Sequence, residues 1–298
     1  MSRIGYQADY LGDGLRFEVP EISFEHAGDI VRLEDGTASL DYLNYSVVLN
    51  RSTRQAFYSA ANADFSRNTG EGRDFRLDRR VDERAQLDNL YYKDLDGVEN
   101  PYDRGHLTRR DAISWGRTRH QANKASRDSC YYPNVVLQHK RFNRDEWHAL
   151  EVAIEDNHTD ADNRFDVICG PIFSAIDRFV MPTRYVDPAR VPSGFWKVIA
   201  YVGRDSGELE VNAFVVHQDD ESLRKMGQVL GREGVDPFRI YQSSTTLIEE
   251  LTGLTFPDVA YDKNPMYFFE SEKTREAHIV TPQLQEISEE TDGVIFRQ

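Results

Sequence analysis

Three stretches of the chain carry the hydrophobic pattern of β-strands. Residues 43–65, LNYSVVLNRSTRQAFYSAANADF, have apolar, β-branched and aromatic residues on both sides of the polar sequence NRSTR, which predicts two strands joined by a turn. The run FDVICGPIF, residues 165–173, predicts a buried strand that ends at Gly170 and Pro171. Residues 195–216 carry FWKVIAYV and LEVNAFVV on either side of GRDSG, which predicts a β-hairpin.

Two stretches carry the pattern of helices. In NRDEWHALEVAIEDN, residues 143–157, Trp147, Leu150 and Ile154 recur at helical spacing, and acidic residues fill the first turn. STTLIEELTGL, residues 244–254, begins with Ser and Thr and has Gly253 near its end, which predicts a shorter helix. Strands, then a helix, then strands again favour an α+β fold with a central antiparallel sheet and flanking helices over a doubly wound parallel sheet.

Composition narrows the class of protein and its organisation. The chain has 298 residues, 39% hydrophobic and 29% charged, which is typical of a globular protein of one or two domains. No apolar run reaches the roughly 20 residues of a membrane helix, and the first residues lack the apolar core of a signal peptide, so we expect a cytoplasmic protein without a membrane partner. We expect an acidic N-terminal arm (1–40), a main domain (41–262) and a polar C-terminal extension (263–298).

The two cysteines are too few for a disulfide framework. Cys169 lies within the apolar run FDVICGPIF and is expected to be a small buried thiol. A disulfide between Cys169 and Cys130 is the alternative.

Charge is distributed unevenly along this acidic chain. The formal net charge is −15, with 51 acidic and 36 basic residues. Residues 101–150 nevertheless hold ten basic and five acidic residues, a local charge of +5. A basic patch of this kind is the usual electrostatic sign of a phosphate-rich partner, and a solvated basic surface is the alternative.

The basic segment contains PYDRGHLTRR, residues 101–110, in which several groups suit phosphate chemistry. His106 is a candidate general base because the pKa of a histidine lies near neutrality. Gly105 permits a close approach of the backbone. The guanidinium groups of Arg104, Arg109 and Arg110 match phosphate oxygens.

The helix predicted over residues 143–157 carries a possible metal site. Asn143 and Glu151 are eight residues apart, which brings them within about 80° of one helix face. An amide oxygen and a carboxylate two turns apart suit a hard cation such as Mg²⁺, which keeps several waters. An amphipathic helix with a solvated glutamate is the alternative. A further group of arginines lies in GRDFRLDRR, residues 72–80, where a basic loop is an equally good interpretation.

Taken together and in this order, these motifs resemble the DNA/RNA non-specific endonucleases, a family with the ββα-metal fold that includes the endonuclease G type. The resemblance covers about residues 42–260 and points to a bacterial branch of the family. Its signature Asp-Arg-Gly-His is matched by Asp103, Arg104, Gly105 and His106. The later positions that match are Asn134, Gln138, Asn143, Trp147, Leu150 and Glu151. Supporting matches are Arg73, Phe75 and Asp78 upstream, and Gly170–Pro171, FWKVI and LIEELTGLTF downstream.

The resemblance implies a role for each matched residue. His106 would take a proton from the attacking water, and Asn143 would be the one protein ligand of a Mg²⁺ (or Mn²⁺) ion. Glu151 would hold waters of that ion. Arg104 and Arg73 would contact the scissile phosphate, with Arg76 as the alternative to Arg73. Among the remaining residues, Asn134 would brace the site, and Arg109, Arg110 and Arg76 would bind substrate.

The sequence therefore predicts a Mg²⁺-dependent, sugar-non-specific endonuclease that leaves 5′-phosphate ends. No motif supplies a base-reading group, a single-strand stacking platform or a test of the 2′-hydroxyl, so both DNA and RNA are the expected substrates. We expect a homodimer, because members of the family commonly pair and because LIEELTGLTF and the predicted strands offer apolar surface. We also expect a restraint on activity, which would be an inhibitor, a triggered assembly or a removed partner domain, and a defence effector, a toxin and a scavenging enzyme are all compatible roles. A catalytically idle nucleic-acid-binding module and a phosphodiesterase of small nucleotides are the alternatives.

Overall fold

The computed structural model describes residues 4–65, 74–94, 97–157, 163–175, 177–218, 240–267 and 284–286. The strands are β1 (Glu21–Ile22), β2 (Ser39–Asp41), β3 (Tyr45–Asn50), β4 (Gln55–Asp64), β5 (Tyr102–His106), β6 (Val135–His139), β7 (Arg164–Ile172), β8 (Phe179–Val180), β9 (Ala189–Arg190), β10 (Gly194–Val202), β11 (Leu209–His217), β12 (Ile240–Ser243), β13 (Leu254–Thr255) and β14 (Leu284–Glu286). The α-helices are α1 (Arg110–Ile113), α2 (Arg119–Asp128), α3 (Lys140–Arg144), α4 (Glu146–Asn157), α5 (Thr245–Thr252) and α6 (Asp258–Asp262). Short 3₁₀ helices span Phe24–Asp29, Glu83–Ala85, Asn89–Tyr91, Tyr132–Asn134 and Pro265–Tyr267.

A large antiparallel sheet forms the centre of the molecule. Among the described residues it contains eight strands in the order β14-β12-β11-β10-β7-β4-β3-β2, each antiparallel to its neighbours. The hairpin predicted over residues 195–216 is β10–β11, and the pair predicted over residues 43–65 is β3–β4. The α+β fold with a central antiparallel sheet is therefore confirmed.

The alternation of side chains along β10 separates the two faces of this sheet. Phe195, Ile199 and Tyr201 pack into a core with α1, α3 and α4. Trp196 and Val198, at the intervening positions, pack into a second core with the N-terminal segment and α5. Because the period of a strand is two residues, Lys197 points to the same face as Phe195, toward α4.

The helix predicted over residues 143–157 is two helices, so the prediction of one continuous helix is wrong. The backbone leaves the helical region at Asp145, where φ is −107° and ψ is −81°. Phe142 and Trp147 both stack near Phe195, with ring centroids 5.1 and 5.6 Å from it. Residues five apart on one straight helix would point about 140° apart, and the break lets both rings reach the same neighbour.

The strand predicted at FDVICGPIF also differs from the structure, because β7 continues through Gly170 and Pro171. The pairing of β7 with β4 stops at Cys169, whereas its pairing with β10 continues to Ile172. The missing N–H of Pro171 therefore falls beyond the last residue of β7 that pairs with β4. Gly170 is required because a Cβ there would lie 2.4 Å from the carbonyl oxygen of Phe57.

The second predicted helix is confirmed as α5. Ser244 caps it by accepting a hydrogen bond from the Leu247 N–H at 3.3 Å, and Gly253 ends it with φ of 72°. Its apolar side chains, and those of the residues just after it, are buried inside the protomer: Leu247, Ile248, Leu251, Leu254 and Phe256. The segment LIEELTGLTF thus does not supply the exposed apolar surface that we expected of it, and the homodimer stays a prediction on its other grounds.

The acidic N-terminal segment packs against the sheet. Phe17 and Leu11 are buried in the core on the face opposite α4, and β1 pairs with β13. Residues 268–283 and 287–298 of the C-terminal extension lie outside the described residues, whereas β14 pairs with β12 at the sheet edge. Cys130 and Cys169 are both buried and free, so the disulfide alternative is wrong. No helix within the described ranges is long and apolar enough to cross a membrane.

Candidate active site

A two-stranded ribbon outside the main sheet carries the Asp-Arg-Gly-His sequence. β5 pairs antiparallel with β6, with Tyr102 opposite His139 and His106 opposite Val135. The helix α3 follows β6 directly, so two strands and a helix form one ββα unit. Gly105 is required in this ribbon because a Cβ there would lie 2.0 Å from Oε1 of Gln138.

His106 ends β5 and lies beside an aromatic ring. Its imidazole is 5.4 Å from the ring of Phe75, and the guanidinium of Arg104 lies 4.5 Å above the same ring. Nε2 of His106 is 3.9 Å from Sγ of Cys130. Arg104 and His106 therefore share Phe75, as expected for residues two apart on a strand.

Arg104 differs from the arginines that were predicted to bind substrate. It is exposed and donates to the amide oxygen of Asn89 at 3.0 Å, and no carboxylate within the described residues pairs with it. Its positive charge therefore remains available to an anionic ligand.

The three arginines that we expected to bind substrate each lie near carboxylates. Arg109 pairs with Glu155 at 2.9 Å and Arg110 with Asp111 at 3.3 Å. Arg76 lies 3.6 Å from Asp128 and 3.5 Å from Asp74, with its guanidinium 4.2 Å from the Tyr131 ring. Arg73, which we expected at the scissile phosphate with Arg76 as its alternative, lies outside the described residues.

Asn134 is a structural brace beneath the loop that follows His106. Its Oδ1 accepts from the Thr108 N–H at 2.9 Å and from the Ser59 hydroxyl at 3.1 Å. Its Nδ2 donates to the carbonyl oxygens of Thr108 and Ser129, both at 3.0 Å. Because the side chain is fully buried and all its hydrogen-bonding capacity is used, Asn134 fixes the path of the chain next to His106.

Asn143, in α3, lies against the start of the ribbon. Its Nδ2 donates to Oδ2 of Asp103 at 3.2 Å, and Arg144 forms a two-armed ion pair with the same carboxylate at 2.9 and 3.0 Å. Asp103 therefore fixes α3 on β5. The side-chain N–H group of Asn143 is thus engaged with Asp103, whereas its amide oxygen accepts no hydrogen bond from the described residues.

Glu151, in α4, has different partners. Oε1 accepts from Nζ of Lys197 at 3.1 Å, and Oε2 lies 3.9 Å from Nε of Arg109. Lys197 is almost fully buried and lies 4.2 Å above the ring of Trp147. Asn143 and Glu151 thus sit on separate helices with separate partners, and not on one helix face as predicted.

The predicted motifs give Lys197 no role of its own. The sequence does mark this position, because a single lysine interrupts the apolar run FWKVIAYV on the face of the strand where Phe195 and Ile199 point. Next to it across the sheet is Cys169, and burial raises the pKa of that thiol to about 12. The thiol is therefore neutral, and Lys197 has Glu151 as its anionic partner.

Known proteins are similar to the chain in sequence. The family model described as DNA/RNA non-specific endonuclease matches residues 28–263. An uncharacterised protein, y4fB, from Sinorhizobium fredii (strain NBRC 101917 / NGR234) is 31% identical over 270 residues, which is 86% of this chain. The chain spans only 39% of the length of that relative.

A solved structure, titled as the crystal structure of the EndoG/EndoGI complex and the mechanism of EndoG inhibition, shares the fold. The TM-score is 0.56 at 18% identity, covering 86% of this chain and 91% of that chain. The architecture is that of a ββα-metal nuclease. Since the family model matches most of its length, the chain belongs to the DNA/RNA non-specific endonuclease family of divalent-metal-dependent nucleases.

Proposed function

We propose that the chain hydrolyses phosphodiester bonds of both DNA and RNA in a Mg²⁺-dependent reaction, with His106 as general base and 5′-phosphate ends as products. The observation that carries this proposal is the ββα unit. It presents His106 and Arg104 around Phe75, with no carboxylate partner of Arg104 among the residues that the structure describes, and it fixes Asn143 to Asp103 of the same ribbon.

The side chains around Asn143 are compatible with a hard, hydrated cation. Within the described residues, no group of three His, Cys, Asp or Glu side chains is placed to hold a metal ion. Asn143 offers an amide oxygen without a described partner. Gln138 lies opposite Asp103 in the ribbon, and both atoms of its buried amide lack a partner within the described residues. A Mg²⁺ ion, which binds few protein oxygens and keeps its waters, or Mn²⁺, suits this donor set.

Asn143 would hold the ion, and Glu151 would act through the waters around it. When bound, the ion would act as a Lewis acid and stabilise the negative charge that develops on the phosphate. The carboxylate of Glu151 already accepts from Lys197, so we assign it to orienting water rather than to direct metal ligation.

The role proposed for His106 is to remove a proton from the attacking water. Its ring is half-buried at the end of β5, with Phe75 on one side and Cys130 at 3.9 Å. A base held in one orientation at the edge of solvent can accept a proton from water and release it again.

Arg104 is proposed to bind the scissile phosphate. Its guanidinium is exposed, has no carboxylate partner among the described residues and is held over Phe75 next to His106. A fixed cation next to the base stabilises the charge of the pentavalent state without reorganisation.

Further proposals concern the organisation, the partners and the role of the chain. Residues 41–262 would form the catalytic unit, with 1–40 and 263–298 as flanking segments. A restraint on activity would be provided by an inhibitor protein, a proposal supported by the inhibited complex named for the structural neighbour. A homodimer and a role as a defence effector or toxin remain predictions.

The direct test is cleavage of supercoiled plasmid and of a structured RNA by the purified chain. Both substrates should be cut with added Mg²⁺ and remain intact with EDTA. His106→Ala should lower the rate by about 10²–10⁴-fold while circular dichroism and DNA binding stay unchanged.

The outcomes separate the alternatives. Binding without cleavage by the unmodified chain would indicate an idle nucleic-acid-binding module. Preference for a dinucleotide over plasmid in competition would indicate a phosphodiesterase of small nucleotides. A rate for His106→Ala within threefold of the unmodified chain would remove His106 from the mechanism.

A further inference from the structure

A short hairpin beside the ribbon exposes aromatic side chains. β8 and β9 pair antiparallel and enclose residues 181–188. Six large hydrophobic side chains are exposed within the described residues, and three of them lie on this hairpin: Phe179, Met181 and Tyr185, at 61, 60 and 78% exposure. Isolated exposed apolar residues are ordinary, whereas a group of three on one hairpin indicates an interaction surface.

The same hairpin carries arginines. Arg178 and Arg184 are exposed, and the guanidinium of Arg184 lies 4.8 Å from the Tyr185 ring and donates to its hydroxyl. Asp187 is the exposed carboxylate among them, and Arg54 lies at the base of the hairpin, so the local charge is positive although the whole chain is acidic. We refer to Arg178, Phe179, Met181, Arg184 and Tyr185 as the hairpin surface.

Buried glutamines hold the segment around β9 against the β5–β6 ribbon. Nε2 of Gln55 donates to the carbonyl oxygen of Arg190 at 2.9 Å, and its Oε1 accepts from the Leu137 N–H at 3.1 Å. Leu137 is directly opposite Arg104 in the ribbon. Gln218 makes a second link, since it donates to the carbonyl oxygens of Pro192 and Leu137.

The 3₁₀ helix Asn89–Tyr91 joins the hairpin to Arg104 from another side. The Tyr91 hydroxyl donates to the carbonyl oxygen of Asp187 at 2.8 Å, and Asn89 accepts from Arg104 at 3.0 Å. These two residues lie in a single turn. The backbone of the hairpin at Asp187 is therefore linked, through one short element, to the arginine to which we assign the scissile phosphate.

From this placement we infer that the hairpin surface binds the unpaired bases of the substrate strand outside the cleavage position, with Phe179 and Tyr185 as stacking rings and Arg178 and Arg184 at the neighbouring phosphates. This inference rests on the proposed function. Aromatic rings bind bases of any sequence by stacking, and arginines near them bind the backbone. The surface would favour single-stranded DNA or RNA over intact duplex without selecting a sequence.

A second copy of the chain is the competing occupant, and the extent of the surface argues against it. Stable protein interfaces use about 20–30 residues on each side. The hairpin surface offers five side chains, and the apolar side chains behind it, such as Ala189 and Val191, are already buried in their own core.

The test is binding of fluorescein-labelled (dT)₂₀ to the full chain in EDTA, so that affinity is measured without cleavage. The variant Phe179→Ser/Tyr185→Ser should bind about 10-fold or more weakly, because a base stacked on an aromatic ring contributes about 5–100-fold. Tyr185→Phe keeps the ring and should bind like the unmodified chain. Phe24→Ser is the matched control, since Phe24 is 95% exposed in a 3₁₀ helix distant from the ribbon in sequence.

Cleavage distinguishes this surface from the catalytic site. With Mg²⁺, the double variant should lose rate on single-stranded DNA but keep the unmodified rate on a dinucleotide, which cannot reach the hairpin. Equal binding of (dT)₂₀ by the double variant and the unmodified chain would overturn the inference, as would the absence of binding by the unmodified chain. A fall in molar mass of the double variant by light scattering would also overturn it, because the surface would then be a dimer contact. Failure of the proposed function would appear separately, as an intact plasmid with Mg²⁺.

Discussion

Replacement of Lys197 by Met tests whether the buried Lys197–Glu151 pair positions the carboxylate of the site. The two side chains are only 4 and 11% exposed, and Nζ lies 3.1 Å from Oε1. Coulomb's law at that distance gives about 5 kcal/mol for an effective dielectric constant of about 20. Methionine is unbranched and only one heavy atom shorter, and we expect it to keep a contact with the ring of Trp147, so the change removes mainly the charge.

We expect Lys197→Met to lower both stability and activity. Breaking a buried pair from one side costs about 3–5 kcal/mol, because the remaining carboxylate is left without its partner. The nearest remaining cation is Arg109, whose Nε is 3.9 Å from Oε2, so Glu151 should turn toward it. Displacement of a group that orients metal-bound water typically costs about 10–100-fold in rate.

The measurements are urea unfolding and plasmid cleavage over a range of Mg²⁺ concentrations. The double variant Lys197→Met/Glu151→Gln should regain part of the lost stability, since no unpaired charge remains. It should be no more active than Glu151→Gln alone, because the two residues act through one carboxylate.

Lys263→Met is the matched control. Lys263 pairs with Glu208 at 2.7 Å, but that pair is exposed, with side-chain exposures of 24 and 65%, and should contribute no more than about 1 kcal/mol. A Lys197→Met protein with unchanged rate and unchanged Mg²⁺ dependence would refute the positioning role. A double variant no more stable than Lys197→Met would refute the electrostatic explanation of its stability.

Other residues give further predictions. Asn143→Ala should raise the Mg²⁺ concentration for half-maximal cleavage, and an unchanged titration would move the metal elsewhere. Asn134→Ala should lower stability by about 1–3 kcal/mol or more, measured by urea unfolding, because it leaves buried donors and acceptors without partners. Burial raises the pKa of Asp166 from 3.8 to about 8. Between these two pH values the folded protein therefore holds a proton that the unfolded chain has released. The free energy of unfolding should fall as the pH rises through this range, by up to about 1.4 kcal/mol per pH unit. Asp166→Asn should flatten this decline in urea midpoints between pH 5 and 8, and an unchanged slope would show that other groups cause it. Light scattering should give twice the chain mass of 34.4 kDa if the predicted homodimer forms.

The strands and the active-site motif could be predicted because their signals are local. Alternation in FWKVIAYV and LEVNAFVV depends on neighbouring residues alone, and β10–β11 has the predicted hairpin form. The ββα unit was inferred from an ordered set of motifs, and its strands pair in register around Gly105.

The errors arose where a distant neighbour decides the local structure. The break at Asp145 exists because Phe142 and Trp147 both pack on Phe195, which is about 50 residues away in sequence. The continuation of β7 through Pro171 depends on where its pairing with β4 stops. Neither neighbour is visible in the periodicity of the segment itself.

The hairpin surface was missed for a related reason. Its two aromatic residues, Phe179 and Tyr185, lie in a segment of no clear period, where the sequence alone does not distinguish exposed rings from core residues. Their closeness to the ribbon is created by Gln55 and Gln218, two buried amides from other strands and loops. A search of the sequence for regularly spaced aromatic residues therefore finds no stacking platform.

The basic segment that first indicated a phosphate-rich partner has a divided role in the structure. Arg109, Arg110 and Arg76 are paired with carboxylates, so much of the local charge of +5 stabilises the loops and helices around the ribbon. Arg104 keeps its charge available, next to His106. A count of charges along the sequence therefore overestimates the positive charge that is available to substrate. Of the paired arginines, Arg109 also lies 3.9 Å from Oε2 of Glu151, the carboxylate that we propose to orient water, so its charge acts on the proposed site through that side chain and not through the phosphate.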